Sequence, residues 1–324
     1  MYEQFYDLKH SPFELSPDPS FFYPTAGHNE AFANLSYGVL HRKGFVVLTG
    51  EAGTGKTLLL RCLLDFITQK DVASAFIFNP RLPVMDFLAY VLKDLQLSSP
   101  GRTKGEMLAC LSDYLLVRGG RGATTAIIVD EAHLLDWELL QEIRLLTNLE
   151  TAQQKLVQVV LVGQPELDQK LDSLELRELK QRVTLRYRLH PLTIEDFQGY
   201  IHRRLELAGA NSHSEFIFDT EAIQLIYDLS GGIPRVVNNI CENSLISAYS
   251  RRIKPITAEV VRRVAADLRL SQVAATFTSA GNGSTSAGNG SKGTVTVASS
   301  NVRSNDLTEI LLTDALRRWW RVER

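Results

Sequence analysis

Between residues 45 and 189, short apolar runs take turns with longer stretches whose apolar positions recur at helical spacing. The segments 45–49, 74–78, 126–130, 158–163 and 184–189 are candidate strands, and Phe45-Val46-Val47-Leu48 in the first reads as a short buried one. Residues 58–67 predict a helix directly after the first of them. Val84, Met85, Phe87, Leu88, Val91, Leu92 and Leu95 predict another, and residues 107–116 a third. Strand and helix in alternation predict an α/β fold with a parallel sheet covered on both faces. Ligands of such sheets bind beyond the carboxyl ends of the strands.

After Pro191 the strand pattern stops. Thr193 with Glu195 and Asp196 reads as a helix start, and Asp219-Thr220 precedes a stripe of Ala222, Leu225, Ile226 and Leu229. Gly231-Gly232-Ile233-Pro234 closes that helix and opens the next, through Val236, Ile240, Leu245 and Ile246. Thr257 begins a last helix reaching about Leu270. The expected organisation is an aromatic and proline-rich extension packed on the core (1–40), an α/β core (41–191) and a small all-α lid (192–270). A Gly/Ser/Asn tether (271–305) and a short amphipathic helix (306–324) complete it. The tether cannot build a core, and random-coil scaling sets its ends about 30 Å apart. Asp306 and Glu309 start the tail helix and Arg317, Arg318, Arg321 and Arg324 end it, which suits the helix dipole.

Composition changes this picture little. The 324 residues are 44% apolar, enough for sizeable cores, and the formal charge of -2 announces no global basic field. Three cysteines, Cys62, Cys110 and Cys241, lie far apart without metal-like spacing, which predicts a reducing compartment and ordinary burial. No secretory signal and no uncharged apolar run long enough for a bilayer is visible, so a cytoplasmic location is expected.

The chemistry concentrates in two segments. Gly50-Glu51-Ala52-Gly53-Thr54-Gly55-Lys56-Thr57 fits the phosphate-loop pattern and lies between a predicted strand and a predicted helix, as that pattern requires. Its glycines let the backbone curl so that N–H groups face phosphate oxygens; Lys56 adds charge and Thr57 a magnesium ligand. Ala126-Ile127-Ile128-Val129-Asp130-Glu131 supplies a strand ending in two carboxylates. Asp130 suits the magnesium shell beside Thr57, and Glu131, free of the metal, suits a general base for water. The pair predicts a P-loop NTPase that binds ATP and Mg2+ and hydrolyses ATP. Asp130-Glu131-Ala132-His133 also spells the helicase tetrapeptide, without that superfamily's companion motifs downstream.

Further motifs carry a resemblance. They are Phe5-Tyr6 to Phe21 with Pro12, Phe13, Pro17, Asp18 and Pro19, then His28, Glu30 and Ala31, Gly163-Gln164-Pro165-Glu166-Leu167, Gln181-Arg182-Val183 and Gly231-Gly232-Ile233-Pro234-Arg235. With the two segments above, they resemble the AAA+ ATPases of the ExeA or general secretion pathway protein A type, from Met1 to about Leu270, with the TniB and TnsC transposition ATPases as neighbours. The resemblance implies Gln164 as a polar sensor of the γ-phosphate and Arg235 as a second sensor in the same subunit. It implies Arg182 as an arginine finger in trans, with Arg186 and Arg188 as competitors, and hence a homo-oligomer. Phe13, Phe21, Phe22 and Tyr23 are candidates either for an adenine cover or for core packing.

By the same resemblance the function is ATP-driven assembly that remodels a partner of the secretion or envelope machinery. Residues 271–324 read as the tether and an Arg-Trp-Trp-Arg tail rather than as the membrane span and peptidoglycan-binding part usual in the family, so a direct role at the cell wall is not expected of them. The alternative is an ATP-dependent DNA-binding transposition regulator, for which Arg251, Arg252 and Lys254, with Arg262-Arg263, are the candidate surface. Trp319 and Trp320 offer a peripheral membrane contact or a partner anchor.

Overall fold

The computed structural model describes residues 1–14, 21–98, 103–152, 154–210 and 217–270. The tether and tail expected at 271–324 lie outside the described residues, as do Pro17, Asp18 and Pro19 of the N-terminal motif. The chain divides into two compact units. One comprises Phe13–Arg204 and Gly232–Asn239, the other Met1–Pro12, Leu205–Gly231 and Ile240–Arg324.

The larger unit is built on five parallel strands, β1 (Phe45–Gly50), β2 (Ala73–Ile77), β3 (Thr125–Val129), β4 (Val157–Gly163) and β5 (Val183–Leu189), in the order β2-β3-β4-β1-β5. Every strand end lies within one residue of the apolar run that predicts it. In chain order the helices are α1 (Tyr2–Phe5), α2 (Ala26–Leu40), α3 (Lys56–Thr68), α4 (Val84–Asp94), α5 (Lys104–Gly120), α6 (Trp137–Leu146), α7 (Pro165–Leu171), α8 (Arg177–Lys180), α9 (Ile194–Leu207), α10 (Thr220–Ser230), α11 (Pro234–Ser250) and α12 (Ala258–Asp267).

β1, β3 and β4 are buried along their whole length. Successive side chains point to opposite faces, so helices must cover both. Val47, Ile127, Val129, Val159 and Leu161 form one core with Phe87, Leu88 and Val91 of α4, Leu111 and Leu115 of α5, and Leu139, Leu140 and Ile143 of α6. The opposite face takes α2 and α3 against β1. There α2 approaches so closely that a Cβ on Gly38 would stand 2.3 Å from Val46 Cγ2. The buried Gln158 of β4 is satisfied, accepting from Gly44 N at 2.7 Å and donating to the Lys155 carbonyl at 3.3 Å.

Helix starts follow their caps. Thr103 and Glu106 form a capping box on α5, and Asp136 accepts from Leu139 N at 2.8 Å on α6. The outer strands have their own devices. Asp94 of α4 accepts the Phe76 N–H of β2 at 2.6 Å. On β5, Arg186 donates to Asp168 at 2.7 Å and to Asp172 at 3.0 Å, and Asp168 also accepts from Thr49 of β1 at 2.7 Å.

In the smaller unit α10 packs on α12 over Ala222, Ile226, Val260, Val261 and Val264. Tyr2 of α1 donates to Glu242 at 2.7 Å, and Tyr6 to the Ile253 carbonyl at 3.3 Å. The Lys254 ammonium lies 4.3 Å from the Phe5 ring centroid and 5.3 Å from that of Tyr6. Arg252 lies over Phe5 and Tyr249. Among the described residues no helix is long and apolar enough to cross a membrane. Cys62 and Cys241 are buried and Cys110 half-buried, all as free thiols, and burial pushes the Cys62 thiol up to about 11.

Candidate functional site

β1 ends at Gly50, where a Cβ would meet the Leu189 carbonyl of β5 at 2.6 Å, so only glycine lets the two strands run side by side at this height. The chain then turns through Gly53 (φ +84) and Gly55 (φ +100) before α3 begins at Lys56. Both φ values belong to the left-handed region, and at Gly53 a Cβ would also stand 2.6 Å from Arg235 Cβ. Lys56 is buried, its ammonium donating to the Gly50 and Glu51 carbonyls at 2.8 Å each. Burial lowers its pKa, while Glu131, Asp130, Glu51 and Glu166 pull the other way.

Across the crevice, β3 delivers Asp130, whose N–H donates to the Ile77 carbonyl at 2.9 Å. Thr57 donates to Asp130 Oδ2 at 2.8 Å, and Glu131 N donates to Asp130 Oδ1 at 2.8 Å. Burial raises the Asp130 pKa against these hydrogen bonds. Glu131 itself sits in the left-handed region (φ 51, ψ 33), a conformation that costs a side-chain-bearing residue about 1–2 kcal/mol. A single turn of 3-10 helix, Ala132–Leu134, follows, and Lys170 of α7 holds it by donating to the His133 and Leu135 carbonyls at 2.7 Å each. Gln164, after β4, meets the His133 ring: its backbone N lies 3.4 Å from Nδ1 and its Nε2 3.3 Å from Nε2. The same Nδ1 lies 3.4 Å from Glu131 Oε2.

Of the residues singled out in the sequence, the loop from Gly50 to Thr57, Asp130, Glu131, Gln164 and Arg235 stand at the carboxyl ends of the strands. Arg235 N donates to the Gly53 carbonyl at 3.2 Å. Arg182 does not join them. It precedes β5, where Val183 pairs with Phe45, whereas Leu189 at the far end pairs with Gly50. That is about 20 Å of strand from the loop, and Arg182 donates instead to Thr147 Oγ1 at 3.0 Å. Arg186 is held by two carboxylates, and Arg188 lies 3.7 Å from Glu51. Phe13 and Phe22 are core residues.

His28 carries a contact with the loop that the sequence motif does not disclose. Its Nε2 lies 3.1 Å from the Thr54 carbonyl, so that nitrogen must carry the hydrogen, and Nδ1 accepts from the Thr25 hydroxyl at 2.8 Å. Its position three residues after the helix-capping Thr25 was the only local signal.

The residues present fit magnesium in one particular way. Among the described residues no three His, Cys, Asp or Glu side chains gather as a cage of their own. Thr57 and Asp130, in contact, offer the one or two protein oxygens that this ion takes when phosphates and water supply the rest.

Residues 39–171 match the family model described as AAA domain. General secretion pathway protein A of Aeromonas hydrophila is 45% identical over 253 residues, covering 78% of this chain and 45% of that protein. The chain therefore spans less than half the length of this relative. Among solved structures, Cdc6p from Pyrobaculum aerophilum superposes with a TM-score of 0.58 at 21% identity, over 77% of this chain and 71% of that one. ORC from Drosophila, in a structure bound to DNA, gives 0.57 at 20% identity, over 85% and 69%. These two likenesses concern the fold.

Proposed function

Taking as premise that this chain is an AAA+ protein of the general secretion pathway protein A type, we propose that it binds ATP with magnesium over the loop 50–57 and hydrolyses it to ADP and phosphate. The loop's N–H groups and the Lys56 ammonium take the phosphates at the start of α3. Thr57 and Asp130 hold the magnesium, which when bound neutralises phosphate charge and orients its oxygens. Glu131 accepts the proton of the attacking water. Gln164 donates its side-chain amide to the terminal phosphate, and Arg235 contacts the nucleotide of its own subunit.

Arg182 is presented to the nucleotide of a second copy. Its placing supports this: it stands at the wrong end of β5 for its own loop, and Arg186 and Arg188 are already engaged by carboxylates. Arginine suits such a role because its planar charge persists and grips phosphate oxygens in pairs. The copies so joined pass their change of shape to a protein partner, sought in a secretion or envelope complex because of the relative's name. The protein works in the cytoplasm and reaches the inner membrane through that partner. No specific observation favours DNA, since Arg252 and Lys254 are engaged by aromatic rings of their own unit.

The observation that carries the reading is the meeting of Lys56, Thr57, Asp130 and Glu131 at the ends of β1 and β3. Phosphate release from Mg-ATP tests it. The Lys56→Ala protein should lose nucleotide binding, whereas Glu131→Gln should keep it and lose roughly two to four orders of magnitude in turnover. Wild-type turnover in Glu131→Gln removes that residue's role; no binding by the unaltered protein removes the whole reading.

A further inference from the structure

The His133 ring touches both Glu131 and Gln164, and its hydrogen-bonding capacity is too small for every contact it makes. Nδ1 lies 3.4 Å from the Glu131 carboxylate, which needs a donor there, and 3.4 Å from the Gln164 backbone N–H, which needs an acceptor there. An imidazole with one ring hydrogen cannot be both at one nitrogen. The ring has little room to evade the conflict. Lys170 pins its carbonyl, Gly163 approaches its backbone so closely that a Cβ would stand 3.0 Å from His133 N, and its side chain is only 12% exposed against 41% for Glu131.

We propose that His133 is a positioning residue that makes the freedom of Glu131 depend on where the Gln164 side-chain amide points. The proposal rests on the ATPase reading above. Two arrangements satisfy the ring. In the first, the hydrogen is on Nδ1 and is donated to Glu131, while the Nε2 lone pair accepts from the Gln164 amide nitrogen, the atom that faces it at 3.3 Å. In the second, the amide has turned over, its nitrogen directed to a terminal phosphate and its oxygen to the ring. Nε2 now carries the hydrogen and donates it to that oxygen, and Nδ1 accepts the Gln164 backbone N–H. One hydrogen leaves Nδ1 and one is gained at Nε2, so the ring's charge is the same throughout. Glu131 has lost its donor and is free to receive the proton of water. The base is thus released when the sensor is engaged.

The two ring nitrogens report the difference directly. In protein labelled with 15N-histidine, the His133 signals are identified by their loss in His133→Asn. They should show hydrogen on Nδ1 without nucleotide and on Nε2 with magnesium and a non-hydrolysable ATP analogue. Gln164→Ala should bind the analogue without that exchange. Kinetics give a second reading: Gln164→Ala should lower kcat about tenfold less in the His133→Asn background than in the wild-type background, a coupling of the size seen between residues in contact. An unchanged tautomer in wild-type protein saturated with analogue overturns the proposal, as do strictly additive losses in kcat. If the wild-type protein fails to bind the analogue at all, the ATPase reading itself falls.

Discussion

Burial holds the pKa of His28 below the ordinary imidazole range, with the Thr54 carbonyl and Asp196 opposing it. The folded chain therefore refuses a proton that the unfolded chain takes up near pH 6.5. This residue's share of stability is present above that pH and is lost as pH falls below it, with a slope of at most about 1.4 kcal/mol per pH unit. His28→Gln should flatten the slope. Urea midpoints at about pH 5 and about pH 7.5 check it: the gap between them should narrow in the variant, and an equal gap would clear His28. At this scale the loop 50–57 and the Asp130-Glu131 pair were legible because spacing along the chain carries their chemistry. Gln164 and Arg235 needed a family resemblance. The contacts of His28 with Thr54 and of His133 with Gln164 span 26 and 31 residues, and no local pattern encodes a meeting of that kind.

The elements show the same division between local and distant causes. β1, β3 and β4 were legible because a central parallel strand must be apolar on both faces, which leaves an unbroken run; β2 and β5, at the borders and only partly buried, were legible from their place in the strand and helix alternation. Among the helices, α2, α6 and α7 were not, and neither was the four-residue α8. α2 buries His28, Ser36 and Gly38 along with Phe32, Leu35 and Val39, so its inner face is mixed in the sequence. α6 exposes Trp137 and Leu145, which blurs its stripe, and α7 hides a proline start within what read as a motif. Gly38 is the price of α2's close seat on β1. Gly38→Ala should force the helix from Val46 and destabilise the protein by about 1–3 kcal/mol, as overpacking does. In urea the midpoint should fall at unchanged slope; a midpoint equal to wild type would show that Val46 yields without cost.

For the molecule as a whole, the distance along β5 between Arg182 and the loop makes a prediction about mixtures. On the role proposed for Arg182, a finger in trans being worth roughly three to five powers of ten in rate, Arg182→Ala alone should be nearly inactive. Lys56→Ala should be inactive for want of nucleotide. Mixed together, they should recover part of the lost phosphate release, because one interface in the hybrid joins an intact loop to an intact finger. A mixture no more active than its components would confine Arg182 to its bond with Thr147.

The two borders of the sheet shape how copies of this chain can meet. On β2 a carboxylate occupies the Phe76 N–H, and β5 carries the charged Arg186 and Arg188 two residues apart. Such borders discourage a neighbour's backbone from continuing the hydrogen-bonded ladder, the route by which strands spread into fibres. The association proposed above would then fall to side chains on helices and loops, and contacts of that sort dissolve again once the groups that drew them together part.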